Sequence, residues 1–175
     1  LTRGLPTAGR RARALYAWVV DNIRSSGPPI ASAARAIASG RGSPAAALVS
    51  LLREAGVPAQ LLLVRPNTAP RLGDTLPDAA PFRAPLVRCR PGGRLIHLDP
   101  AGGRWVPFGY VPPILRGARA LVVEGRGGQP VTTVPADAGL DRPAGQDSQR
   151  LEVTMEVGSD GSVRARAVHR MTGLL

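Results

Sequence analysis

The sequence of 175 residues contains no lysine: all 23 basic residues are arginine, set against 12 acidic ones for a net charge of +11. In a chain this rich in Ala, Gly and Pro, an all-arginine complement reads as the codon bias of a GC-rich genome. Such a bias says little about partners. Aromatics are equally scarce, two each of Trp, Tyr and Phe, so the basic–aromatic interleaving that stacks nucleic-acid bases is missing. The densest basic cluster is only Arg10, Arg11 and Arg13, and nucleic acid is disfavoured as a partner. Cysteine occurs once, at Cys89, which excludes an internal disulfide and any cysteine-rich metal centre. His97 and His169 are the only histidines, with no HxxxH or CxxC spacing, so a structural zinc site is not expected and no cofactor is implied. No apolar run reaches the roughly 18 residues of a membrane-spanning helix. The chain opens on Leu1 with no charged-then-apolar leader, which reads as a piece excised from a longer protein.

What is present is enough for one sizeable core. Hydrophobic residues make up 43% of the chain, while 21 Gly and 18 Pro promise many loops. Thr7 can cap a helix whose stripe is Leu15, Trp18, Val19 and Ile23, closed by Gly27-Pro28-Pro29. A short Ala-rich helix is expected over 31–39. Ser43-Pro44 is an N-cap followed by proline at the first helical position, where its missing N–H costs nothing. The helix it opens carries Leu48, Leu51, Leu52 and Ala55, stops at Gly56, and is apolar nearly all round. That pattern belongs to a helix buried at the centre of a domain.

A strand is expected over 60–64, then a loop over 66–81 with four prolines. Strands over 84–90 and 94–99 would form a tight hairpin across Pro91-Gly92-Gly93, and 118–124 would add a further strand. Residues 126–149 read as a linker. Leu151, Val153, Met155 and Val157 then alternate with polar residues, and beyond a turn at 158–161 Val163, Ala165 and Ala167 answer them. This last hairpin, 150–175, has too few strands to stand alone. It must pack on the core or begin a further β domain.

The stretch from Arg13 to Ile23, AAALVSLLREAGVPA over 45–59, Thr75-Leu76-Pro77 through Phe82, and Leu95-Ile96-His97-Leu98-Asp99-Pro100 together resemble the transglutaminase-like domain. The resemblance spans residues 7–125 and continues more weakly to the end. It implies a transglutaminase-like domain over 1–125 with a papain-like α+β fold, a central buried helix packed on an antiparallel sheet. More specifically, it is to bacterial proteins in which this domain lies between β-rich domains. It implies export to the periplasm and flanking domains of the same chain as neighbours.

The chemistry the resemblance implies needs a thiolate at the amino end of the central helix, a histidine base from the sheet, and an acid on the next strand that orients the histidine. Counting back from Leu51-Leu52-Arg53, the nucleophile's position falls on Arg41. The base's position, two after Phe82, falls on Ala84. Only the acid before Pro100, Asp99, is kept, and a tight hairpin would bring it level with Ala84. The resemblance therefore implies a degenerate site and a non-catalytic binding or structural module, its partner a protein or peptide.

Three residues could substitute. Ser43 lies near the nucleophile position, although a plain N-cap explains it. Cys89 is the only thiol, but strand alternation puts it on the face opposite His97 and Asp99, and a small buried residue explains it as well. His97 shares a face with Asp99. These support an alternative reading, a residual serine- or cysteine-dependent hydrolase or acyltransferase. A further alternative is an Arg-rich binder of acidic polymers. Arg41 itself either pairs with Asp99 across the old cleft or points to solvent.

Overall fold

The Thr7 hydroxyl accepts from the Arg10 N–H (3.2 Å) and so opens the first helix, α1, Ala8–Asn22. Its stripe of Ala12, Leu15, Tyr16 and Val19 is buried. The helix ends sooner than Gly27-Pro28-Pro29 would require. Ile23 is already extended, and the chain continues into a short strand, β1, Arg24–Ser25. Helix α2, Ala33–Ser39, is capped by Ser32 and closed by Gly40 at φ +65°. Strand β2, Arg41–Gly42, pairs in parallel with β1. Helix α3, Pro44–Glu54, follows at once, with Ser43 as N-cap and Pro44 in its first turn. Ala45, Ala47, Leu48 and Leu52 are wholly excluded from solvent, each large one contributing roughly 1.5–3 kcal/mol.

This computed structural model describes residues 2, 4–69, 80–123, 131–138 and 148–172, and the chain divides into two units, Leu1–Gly139 and Leu140–Leu175. In the first unit, β3 (Ala59–Val64), β4 (Ala84–Cys89), β5 (Ile96–Leu98), β6 (Arg119–Val122) and β7 (Val131–Thr133) form one antiparallel sheet of order β5-β4-β3-β6-β7. Alternation gives the sheet two buried faces. One packs Leu61, Val87 and Leu98 against Val19, Leu48 and Leu52 of the helices. The other packs Leu62, Val64 and Leu86 under Val111, Leu115 and Val134. The fold is therefore α+β, with a central helix on an antiparallel sheet.

Two expectations need correction. The β4–β5 connection is not a tight hairpin. Pairing starts at Cys89 with Ile96, so six residues, 90–95, intervene. Pro91 opens a 3₁₀ turn there, with Gly92 and Gly93 at φ +65° and +87°. Strand β5 is accordingly shorter than 94–99. Second, the stretch read as a linker holds β7, and Val134 and Ala138 behind it are buried in the second core. Four β-branched residues between Pro130 and Pro135 carry little local signal, and β7, the first three of them, exists through its pairing with β6. The further strand expected over 118–124 is β6, which joins the sheet beside β3. Residues 70–79 of the Pro-rich loop, with the Thr75-Leu76-Pro77 segment, lie outside the described residues.

In the second unit β8, Ser148–Val157, and β9, Val163–Thr172, pair antiparallel, longer than the sequence pattern suggests. The register sets Val153, Met155 and Val157 opposite Ala167, Ala165 and Val163. The Asp160 carboxylate accepts from the Ser162 N–H (3.0 Å) and Gly161 takes φ +81°, closing the turn.

Candidate functional site

The amino end of α3, where the resemblance would seat a nucleophile, is sealed. Ser43 is 2% exposed. Its hydroxyl donates to the Pro29 carbonyl and accepts from the Ala46 N–H (3.1 Å). The proton that a base would have to remove is thus directed at a backbone carbonyl. Gly42, just before the cap, takes φ +146°, and a Cβ there would stand 2.8 Å from the Cβ of Ala36. Helix α2 fills that approach.

Arg41 lies two residues before the cap, in β2, and is exposed. Its backbone is fixed by the Ser39 hydroxyl, which accepts from the Arg41 N–H (3.2 Å) and donates to the Arg41 carbonyl (2.9 Å). It makes no ion pair with Asp99, so of its two readings the solvent-facing one describes the structure. Ala84 opens β4, half-buried, opposite Val64 and against the second core.

Asp99 is buried, and its carboxylate serves the backbone. Oδ1 accepts from the N–H groups of Ala101 (3.1 Å) and Gly102 (3.3 Å), capping the 3₁₀ segment Pro100–Trp105. Burial raises its pKa above the usual carboxylate value, and the two N–H groups offset part of that. No hydrogen bond joins Asp99 to His97. Because Val87 pairs with Leu98, Asp99 falls level with Leu86 rather than Ala84. The register has slid by two residues, an even number, so the faces are kept but Asp99 and Ala84 no longer meet.

His97 is buried opposite Arg88. Burial, and then the neighbouring guanidinium, push its pKa down to about 4. It is neutral at pH 7. Cys89 pairs with Ile96 and Ala59, on the opposite face, inside the helix-packed core. Burial pushes its thiol up to about 12, which leaves almost no thiolate at neutral pH. The structure therefore does not bring Ser43, Cys89, His97 and Asp99 together. His169 stands opposite Leu151 in the second unit, and its side chain is outside the described residues.

Two residues that the sequence reading did not single out organise this region. The Tyr16 hydroxyl donates to the carbonyls of Val106 (2.6 Å) and Asp99 (3.1 Å). Its ring meets Phe108 edge-on at 5.6 Å, and Arg13 lies over that same Phe108 ring. Tyr16's place in the buried stripe of α1 was the available signal. The second is Arg88, held by Gln60 and Thr132 and facing His97. Among the described residues no group of three His, Cys, Asp or Glu could hold a metal ion, and no helix is long and apolar enough to cross a membrane.

A family model described as the transglutaminase-like superfamily matches residues 1–108. The structure is similar to the crystal structure of a candidate protease from Parabacteroides distasonis, with a TM-score of 0.57 at 16% identity. That match covers 78% of this chain and 26% of the other, so the chain spans about a quarter of that protein's length. At this identity the likeness speaks for the fold alone. No curated protein matches the sequence.

Proposed function

The chain belongs to the transglutaminase-like superfamily, and from that premise we propose that it is a non-catalytic member, a binding or structural module of a larger exported bacterial protein whose partner is a protein or peptide. The observation that carries this reading is the state of Ser43. At the buried amino end of α3 there is no thiol, only a hydroxyl already engaged with Pro29 and Ala46. A nucleophile requires a base within hydrogen-bond reach of its proton. The neutral His97, on the far face of the sheet, is not there to supply one. Cys89 offers no substitute, being buried and protonated. Export and the larger chain rest on the resemblance.

Thiol- and serine-directed probes test the reading on the folded chain. Iodoacetamide should label Cys89 only after denaturation, and a fluorophosphonate should not label Ser43 in either state. Rapid labelling of the folded protein, abolished by His97→Ala, would overturn the non-catalytic assignment and restore a hydrolase or acyltransferase.

A further inference from the structure

At the carboxyl-terminal end of α3, away from Ser43, the structure holds a groove of about 550 Å³ between Pro58, Gln60, Leu95 and three arginines, Arg53, Arg88 and Arg90. Its size lies within the range of small-molecule sites. No Asp or Glu is among the residues that line it.

The way Arg88 is held is the informative part. Its Nε and one terminal nitrogen both donate to Gln60 Oε1, at 3.1 and 2.7 Å, and the other terminal nitrogen donates to Thr132 Oγ1 at 3.4 Å. An amide and a hydroxyl thus fix the plane of the guanidinium without cancelling its charge. Three of its five N–H groups are committed, which leaves two for a ligand. Arg90 is exposed, anchored by its backbone N–H to the Pro58 carbonyl (2.9 Å), and forms no ion pair among the described residues. Burial and then the proximity of Arg90 lower the Arg88 pKa. Both causes act against a cation that lacks a counter-charge. A planar guanidinium in fixed orientation is suited to a bidentate oxyanion.

We propose that this groove binds a small organic oxyanion carrying two or three negative charges, a phosphate ester or a polycarboxylate, seated between Arg88 and Arg90. This goes beyond the non-catalytic reading and does not depend on it, because the groove lies at the other end of the central helix.

Titration calorimetry of the 175-residue chain with pyrophosphate and with citrate tests the proposal. At least one should bind with one-to-one stoichiometry. Arg90→Gln should weaken it by about tenfold or more, the loss of one charge-assisted contact. Arg35→Gln, an exposed arginine on α2, should leave it within about twofold, as expected for a distant surface charge. Binding of pyrophosphate alone would assign the phosphate ester, and of citrate alone the polycarboxylate. A second readout is the His97 ring titration by NMR, which should move upward when the bound anion offsets Arg88. No binding of either anion at millimolar concentration would overturn the site. So would equal weakening by the two substitutions, or binding that leaves the His97 titration unmoved.

Discussion

The Tyr16 hydroxyl on the first helix and the Asp99 carbonyl at the end of the fifth strand, 83 positions apart in sequence, are joined by a 3.1 Å hydrogen bond. The same hydroxyl bonds Val106 at 2.6 Å, and Arg104 meets Asp21 on the same helix at 2.6 Å. One phenol thereby fastens both ends of the 99–106 segment to α1. Asp99 thus belongs to a structural clasp, with its carbonyl and its carboxylate each bound to something other than an imidazole.

Tyr16→Phe keeps the ring and its edge contact with Phe108 but removes the one O–H that the Asp99 and Val106 carbonyls share. The expected loss is about 1–3 kcal/mol, read as a lower urea midpoint at unchanged slope. An unchanged midpoint would mean that the clasp contributes nothing to stability.

Asp99 separates capping from charge. Asp99→Ala removes the acceptor for Ala101 and Gly102 and should cost about 0.5–2 kcal/mol. Asp99→Asn keeps an acceptor oxygen and removes a charge that burial disfavours, so at pH 7 it should be neutral or stabilising. The folded-state pKa is raised above 3.8, so the folded protein holds the extra proton as pH falls towards that value. The penalty on the wild-type carboxylate then disappears and any advantage of the Asn variant shrinks. Denaturant midpoints of both variants between pH 4 and 8 check the pattern. A strong loss in Asp99→Asn at pH 7 would contradict it.

His97 should impose an acid-side loss of stability. Its pKa is about 4 when folded against 6.5 unperturbed, so between these values the unfolded chain binds more protons. Stability therefore rises with pH from 4 to 6.5 and levels off above. Relative to His97→Gln, which does not titrate, the span should be at most about 3 kcal/mol. Parallel wild-type and variant curves across that window would show that His97 keeps its ordinary pKa in the fold.

What could be read from the sequence was local. Ser43-Pro44 announces a cap and a first turn through two adjacent residues, and the apolar circumference of 44–55 announces a central helix; both are as observed. The alternation around Cys89 fixed which residues share its face. The register did not follow from sequence in the same way, because the six-residue connection after Cys89 depends on Pro91 and on two glycines at positive φ. Strand β7 and the Tyr16 clasp were hidden for one reason. Their partners, β6 and the 99–106 segment, are distant in sequence, and three residues or one phenol carry no periodicity. The site was legible only as a set of positions, and what each side chain binds there is decided by those distant contacts.

Ser43→Cys in a Cys89→Ala background asks whether restoring a thiol would restore reactivity. The helix amino end favours a thiolate, which by itself would predict fast alkylation. Access and neighbours argue the other way. The position is 2% exposed and its side-chain proton faces the Pro29 carbonyl. Sulfur is also larger than oxygen, so it presses harder on surroundings that already leave this position almost no exposed surface. The expected result is alkylation at least about a hundredfold slower than in the unfolded chain, since only molecules that have opened locally can react. Rates for the folded and urea-unfolded variant, measured at one pH, check this. Comparable rates would mean that the amino end of α3 is open to reagents.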